Sequence, residues 1–171
     1  MDVEDKVEDK IDGRLIRPFI NATLNVLKTM AFTEALASEP YMKNKETANG
    51  DVSGVIGMTG DHNGSLSVSF PENIILAVVS NMFGEEMKVV DDEIRDAVGE
   101  ITNMISGQAR QELELVDVSL DAAIPTVISG KNHTIKHISS YPIVAVDFVV
   151  GEGEFSSEIK DKFTIEICLE S

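Results

Sequence analysis

The sequence predicts an α/β domain of the α+β type, with an antiparallel sheet and helices packed on one face. Apolar residues recur at helical spacing near the N-terminus and again in the middle of the chain. Two strand-like runs flank a connection rich in Gly, Asn and Asp, which is typical of a hairpin. Two further alternating runs follow near the C-terminus. The order of helix, hairpin, two helices and then strands is that of an α+β domain.

The first predicted helix follows an acidic tail. Residues 1–16 alternate charges and have little to bury, so we expect a flexible tail. Pro18 suits the first turn of a helix, and apolar residues then recur to about Leu36. The helix must end before Pro40. Residues 17–171 are therefore predicted to form a single domain.

The hairpin is predicted from Asp51–Thr59 and Ser65–Phe70, which alternate apolar and small residues. A short helix should follow at Asn73–Phe83. Pro71 lies just before its first turn, and Gly84 is the residue type that commonly ends a helix.

The central predicted helix runs from Asp91 to Leu115, with carboxylates that can cap and favour its N-terminus. A rotation of about 100° per residue divides it into two faces. The predicted core stripe comprises Ile94, Ala97, Val98, Ile101, Ile105 and Ala109. The opposite face comprises Asp96, Gly99, Glu100, Asn103, Gly107 and Arg110.

The chain then becomes extended. Val116–Ala123 and Thr126–Ser129 are strand-like, and Pro125 interrupts them at a position that only an edge or a bulge tolerates. Tyr141–Val150 and Lys162–Leu169 alternate like strands of one half-buried antiparallel sheet.

Composition excludes several classes of function. The net charge of -16 repels phosphate backbones and anionic membranes, so neither nucleic acid nor membrane is an expected partner. No apolar run approaches the ~20 residues of a membrane helix, and the N-terminus lacks the pattern of a signal peptide. Cys168 is the only cysteine, so no intramolecular disulfide can form. We therefore expect a cytoplasmic protein.

Other candidate sites are weak. His62, His133 and His137 have no Cys or carboxylate at metal-ligand spacing, and we interpret them as surface residues, with no metal site. No phosphate-binding loop and no G-x-S-x-G nucleophile motif occurs.

The polar face of the central helix is the better candidate. Asp96, Glu100 and Asn103 are spaced so that their side chains are neighbours. A solvated face is the ordinary explanation for such residues. However, Asn103 lowers helix stability by several tenths of a kcal/mol relative to Ala, and Gly99 and Gly107 each lower it by ~1 kcal/mol. A helix that needed only to be soluble would carry Glu and Lys at these positions. Small residues beside Glu100 and Asn103 would let a partner approach closely. We interpret this face as a docking surface.

The spacing Asp96, Glu100, Asn103 and Pro125 resembles the signature of the CheC/CheX/FliY phosphatases of bacterial chemotaxis: Asp or Ser, three residues, Glu, two residues, Asn, and a Pro about 22 positions later. The chain carries the signature once, as CheX-like members do, and the opening FINATLNVLKTM is also similar to CheX. The resemblance extends from about Arg17 to Leu169.

The resemblance implies a CheC/CheX-like fold and dephosphorylation of the phospho-aspartate on a CheY-type response regulator. Asn103 would orient the attacking water, and Glu100 would clamp the regulator. Asp96, Gly99 and Gly107 would contact the partner, and Pro125 would shape the chain beside the helix. The chain would have no cofactor of its own, because the regulator supplies Mg²⁺. A homodimer formed through the sheet is also implied, and Tyr141–Val150 is the expected edge.

One alternative is a CheX-like adaptor that binds a regulator without hydrolysing anything. The presence of both Glu100 and Asn103 favours the enzyme, since an adaptor has no need of a helix-weakening Asn at that position. A flagellar-switch component like FliY is disfavoured, because no additional switch-binding domain is present.

Overall fold

The computed structural model describes residues 13–44, 47–137, 142–150 and 161–170. Its helices are α1 (Gly13–Ala31), α2 (Glu72–Phe83) and α3 (Asp92–Glu114). Its strands are β1 (Ala35–Ala37), β2 (Tyr41–Lys43), β3 (Val52–Gly60), β4 (Gly64–Phe70), β5 (Leu120–Ala122), β6 (Thr126–Ser129), β7 (Ile143–Val150) and β8 (Lys162–Leu169).

All strands belong to one antiparallel sheet in the order β1-β7-β8-β4-β3-β5. Short β2 pairs with β7 beside β1, and short β6 pairs with β3 beside β5. Each side of the described sheet therefore ends in two short strands, and the four long strands lie between them.

One face of the sheet and the three helices enclose the apolar core. The strands contribute the alternate residues of β3, β4, β7 and β8, including Phe70, Phe148 and Phe163. The ring of Phe163 stacks on both other rings, at centroid distances of 4.9 and 5.0 Å. The α+β class with helices on one face is confirmed. The predicted hairpin, the second helix and the central helix are also confirmed to within one or two residues.

The first helix differs from its prediction at both ends. It begins at Gly13, so Pro18 lies inside it rather than in its first turn. Burial of Leu15 and Ile16 in the core offsets the backbone hydrogen bond that Pro18 removes. The predicted tail of residues 1–16 thus includes four helical residues, and residues 1–12 lie outside the described ranges.

The helix also ends at Ala31, not near Leu36. Phe32 has a left-handed φ of 48°, and the Thr33 amide donates to the Leu27 carbonyl, a bond that closes a helix C-terminus. Ala35–Ala37 then pairs with β7. This pairing gives the backbone of residues 35–37 its hydrogen-bond partners. The helical spacing of apolar residues in the sequence does not reveal such a pairing with a distant strand.

The prediction of a half-buried sheet is wrong for β7 and β8, which are buried on both faces over most of their length. The face opposite the helices carries small and polar side chains, among them Ser67, Ser69, Thr164 and Glu166, and these are buried. Residues of β2 and of the segment Lys131–His137 cover part of this face.

Tyr141–Val150 is not an edge of the described sheet. Its described portion, β7, pairs with β8 on one side and with β1 and β2 on the other. The pairing of these two short strands was not detectable in the sequence, because three-residue strands have too little periodicity to predict.

Candidate functional site

Helix α3 presents the candidate site. The Asp91 side chain accepts a hydrogen bond from the Ile94 amide at 3.1 Å and so caps the helix. Asp92 and Glu93 add negative charge to the first turn, where the helix dipole favours it. The six residues of the predicted core stripe are all buried. The buried stripe fixes which face of α3 points outward.

A close contact between Thr102 and β3 sets the distance of α3 from the sheet. Thr102 is buried directly over Gly54 of β3, and a Cβ added at Gly54 would lie 2.9 Å from Thr102 Cβ and closer still to its hydroxyl oxygen. The Thr102 hydroxyl donates to the Val98 carbonyl within the helix at 2.8 Å. Only glycine at position 54 lets the helix approach this closely. Sequence reasoning missed Gly54, although a glycine inside a strand indicates a close backbone approach.

The three polar residues of the predicted docking surface are exposed. Asp96, Glu100 and Asn103 lie on the outward side of α3, one turn or less from each other. Within the described ranges, their side chains make no hydrogen bond or ion pair. Thr102, which lies between Glu100 and Asn103 in sequence, is buried against the sheet, so both side chains project from a turn of α3 that is packed on the sheet.

The two predicted small contact residues differ in their surroundings. Gly99 is half-buried, and a methyl group added there would lie 3.4 Å from Val127 Cγ2 of β6. Gly107 is half-buried, and a methyl group there would reach only the terminal nitrogen of Arg110, at 4.0 Å. Gly99 therefore also serves the packing of α3 on β6, while Gly107 keeps a shallow part of the surface open.

Pro125 lies in a one-residue β-bulge. In β5, Ala122 is opposite Met58, and in β6, Thr126 is opposite Val55. Three residues, 123–125, thus oppose two residues of β3. Proline has no amide hydrogen and fits a bulge where the ladder is interrupted. Pro125 thus lies at an interruption between β5 and β6, and its role beside the site stays a prediction.

The far side of α3 is occupied by α1. The Asn21 amide donates to the Glu112 carboxylate at 3.0 Å, and the Asn25 amide donates to Gln108 at 2.8 Å. These carboxamides are thus used in contacts between helices. The amide of Asn103 has no such partner among the described residues and remains available to solvent or to another molecule.

The histidines make hydrogen bonds within the protein, and one of them, predicted to be a surface residue, is buried. His137 is buried, with Nδ1 2.5 Å from the Ser65 hydroxyl, while half-buried His133 has Nε2 2.6 Å from the Ser53 hydroxyl. Both attach the segment Lys131–His137 to the polar face of the sheet. No group of three or more His, Cys, Asp or Glu side chains in the described stretches is arranged to bind a metal. None of the helices described is long and apolar enough to cross a bilayer.

Comparisons with known proteins agree with this fold. Residues 52–149 match the family described as chemotaxis phosphatase CheX. The chain is 31% identical over 127 residues to the CheY-P phosphatase CheX of Thermotoga maritima, covering 74% of this chain and 82% of that protein.

Two solved structures are closely similar. A CheC-like superfamily protein from Shewanella sp. PV-4 is 42% identical with a TM-score of 0.83, over 94% of this chain and 100% of that one. A chemotaxis protein CheX from Desulfovibrio desulfuricans is also 42% identical with a TM-score of 0.81, over 91% of this chain and 99% of that one.

Proposed function

This chain belongs to the chemotaxis phosphatase CheX family, and from that premise we propose that it dephosphorylates the phospho-aspartate of a CheY-type response regulator. Asn103 orients the attacking water, and Glu100 clamps the regulator. Asp96, Gly99 and Gly107 complete the contact surface. The relative from Thermotoga maritima bears the name of this activity, CheY-P phosphatase.

The observation that carries the proposal is the exposure of Glu100 and Asn103 on a helix that packs closely against the sheet at Thr102. Both side chains lack partners within the described stretches, while Thr102 between them is buried over Gly54. A side chain that must enter another protein's active site has to project from a rigid base, because misplacement by about 1 Å can cost a hundredfold in rate.

The chemistry suits an amide. Hydrolysis of an aspartyl phosphate needs a water held in line with the phosphorus, while cations offset charge on the phosphoryl oxygens. The Asn103 amide can accept a hydrogen bond from that water through its oxygen and donate to a phosphoryl oxygen through its nitrogen. Since it does not titrate, Asn103 positions the water without acting as a base.

Glu100 contributes binding affinity and sets the position at which the regulator docks. A carboxylate about one turn from Asn103 can pair with a lysine at the rim of the regulator's phosphorylation site and so set where Asn103 enters. Asp96 adds a further contact at the edge. The phospho-aspartate and Mg²⁺ both belong to the regulator in this proposal, so the chain needs no cofactor of its own. The reaction takes place in the cytoplasm, where such regulators act.

We also propose a homodimer formed through the sheet. Because β7 is not an edge, the edge we assign is β1, which pairs on only one side among the described strands and could continue the sheet into a second copy. Leu36 of β1 is 74% exposed and Phe32 just before it is 73% exposed, so apolar surface lies at this edge. The opposite edge, β5 and β6, lies beside the docking surface and is kept for the regulator.

The first test measures the decay of a phosphorylated CheY-type receiver domain in Mg²⁺ with the native chain, Asn103→Ala and Glu100→Ala. We expect native protein to accelerate decay. Asn103→Ala should lose activity by on the order of a hundredfold or more while still binding. Glu100→Ala should weaken both binding and activity. Because Ala is a better helix former than Asn, unfolding cannot explain the loss at position 103.

Matched controls are available on the same helix. Gln111→Ala removes an exposed amide, and Glu114→Ala removes an exposed carboxylate, both beyond the docking surface. Neither should change the decay rate. If the native chain binds the phosphorylated receiver but leaves its lifetime unchanged, the chain is an adaptor and the phosphatase proposal fails for that regulator.

A further inference from the structure

The bulge at Pro125 lies between two strand segments that both pair with β3. Ala122 pairs with Met58, a core residue, and so lies on the helix side. Val127 pairs with Gly54, which lies beneath Thr102, and is also on the helix side. Residues 123–125 form the interruption between these two strand segments, both of which contact α3. The extra residue thus lies with Ile124 and Pro125 between two segments that pack beside α3.

The same strands run alongside α3 in the opposite direction. Near the end of α3, the Val118 amide donates to the Leu113 carbonyl at 3.0 Å, and near its middle Gly99 faces Val127. Ile124 lies between these two contacts in sequence, three residues before Val127, which is at most ~11 Å of extended chain. Asn103 and Gly107 lie ~6 and ~12 Å beyond Gly99 at ~1.5 Å per helix residue. Ile124 is therefore level with the stretch from Asn103 to Gly107.

Gly99 contacts β6, so the side of α3 that faces β5 and β6 is the side next to Asn103. On an α-helix, Asn103 lies about 40° further around the axis than Gly99. Ile124 accordingly borders the docking surface on the Asn103 side. Among the large apolar side chains that the structure describes, it is the most exposed, at 89%.

From this register and exposure we propose that Ile124 is a specificity-determining contact for the phosphorylated receiver domain that docks on α3. It is an apolar anchor beside the water-positioning amide. This inference rests on the proposed function and adds an apolar requirement to the partner: a receiver that fits has an apolar patch beside its cation-lined phosphorylation site. On one side of Asn103, the carboxylates of Asp96 and Glu100 favour a receiver with positive charge. On the other side, Ile124 favours a receiver with an apolar surface.

The bulge is consistent with this role. A regular ladder would have continued β5 into β6 with pairing to β3 at every position, and the interruption gives up ladder hydrogen bonds. Bulges are frequent next to functional sites, where they redirect a side chain. Isolated exposed apolar residues are common on surfaces. Ile124 differs from such residues because it lies at a local departure from the regular sheet next to the docking surface.

The test compares Ile124→Ser, Ile124→Leu and a matched control, Leu115→Ser. Leu115 is 84% exposed but lies at the C-terminal end of α3, away from the docking surface. The measurements are kcat and KM for a CheY-type receiver domain phosphorylated with acetyl phosphate in Mg²⁺, and the Kd for the same domain held as its beryllofluoride adduct. Ile124→Ser should raise KM and Kd about tenfold with kcat nearly unchanged, since a buried aliphatic anchor is lost. Ile124→Leu should stay within about twofold of native.

Three results would overturn the proposal. In the first, Ile124→Ser has native KM and Kd. In the second, Leu115→Ser weakens binding as much as Ile124→Ser, so that exposed apolar area anywhere suffices. In the third, Ile124→Ser lowers kcat without changing KM, which assigns Ile124 to positioning the helix instead. Failure of the proposed function is distinguishable, because the native chain would then leave the lifetime of the phosphorylated domain unchanged, whether or not it binds the adduct.

Discussion

At the scale of single residues, one missing side chain sets the position of the docking surface. Gly54 leaves the space that Thr102 fills, and α3 rests on the sheet at that point. Glu100 and Asn103 are two and one residues from Thr102 in sequence. The distance from the sheet to both polar side chains therefore depends on the absence of a Cβ in β3.

We predict that Gly54→Ala destabilises the chain by about 1–3 kcal/mol, because the added methyl group overpacks the contact with Thr102. It should also lower phosphatase activity, because α3 must shift outward. The midpoint of urea unfolding and the rate of phospho-receiver decay measure the two effects.

Gly57→Ala is the control for this change. It lies in the same strand, and a Cβ there would meet no atom within 4 Å. We expect its unfolding free energy to stay within about 0.5 kcal/mol of native. Equal effects of the two substitutions would contradict the assigned role of Gly54.

At the scale of secondary-structure elements, the polar face of the sheet is held by charge as well as by packing. Glu166 of β8 is buried, and its carboxylate lies 3.1 Å from Lys43 Nζ of β2. His137 Nε2, in the segment that covers this face, is 3.8 Å from the same oxygen, too far for a hydrogen bond. On the neighbouring β7, Asp147 accepts hydrogen bonds from Tyr41, Lys162 and Thr164. Through these contacts the two carboxylates link the short strand β2 to the long strands β7 and β8.

These carboxylates should make stability fall in acid. Burial alone would raise the pKa of Glu166, but His137 and Lys43 hold it below its ordinary value of 4.5. A carboxyl group whose pKa is lower in the folded state adds stability that is fully present above the ordinary value. That stability is lost as the pH falls through the lower, folded value. We predict that the unfolding free energy declines steeply below about pH 4.5.

Glu166→Gln identifies the contribution of this group. The variant should lose about 3 kcal/mol near pH 7, because Lys43 is left buried without its partner. Its stability should also fall less between pH 5 and pH 3 than that of the native chain, as measured by urea unfolding at each pH. Glu114→Gln, at an exposed position, should preserve the native slope. An unchanged slope in Glu166→Gln would show that other groups cause the decline.

At the scale of the whole molecule, the sheet has two edges and the two are used differently in our proposals. The edge at β5 and β6 carries the bulge, borders α3 and faces the regulator. The edge at β1 carries Leu36, which is 74% exposed. A second copy at this edge would leave both docking surfaces free, so each copy of the dimer could bind one regulator.

Analytical ultracentrifugation checks the dimer. We expect a species with twice the 18.6 kDa mass of the chain. Leu36→Asp should shift it toward the single-chain mass, because an exposed charge at an edge strand opposes edge pairing. Leu115→Asp, at an equally exposed site away from the sheet edge, should not. A native chain that sediments at 18.6 kDa at all concentrations would rule out the dimer.

The sequence by itself determined the elements with long and strong periodicity. Helix α3, its buried stripe and its exposed face follow from about 3.6 residues per turn, and the β3–β4 hairpin follows from alternation and its turn residues. The spacing of Asp96, Glu100, Asn103 and Pro125, together with the opening FINATLNVLKTM, indicated the family, because such a motif is a pattern along the chain that needs no tertiary contact to be recognised.

Only the tertiary structure decided the features that depend on contacts between distant parts of the chain. The first helix gained Leu15 and Ile16 through core packing and ended at Phe32, and strand β1 formed by pairing with β7. The polar face proved to be buried because Lys43 and His137, remote in sequence, cover Glu166. The bulge between β5 and β6, where we propose that Ile124 contacts the regulator, is a one-residue difference in pairing register with β3. Register is a relation between two strands, so neither strand's sequence contains it alone.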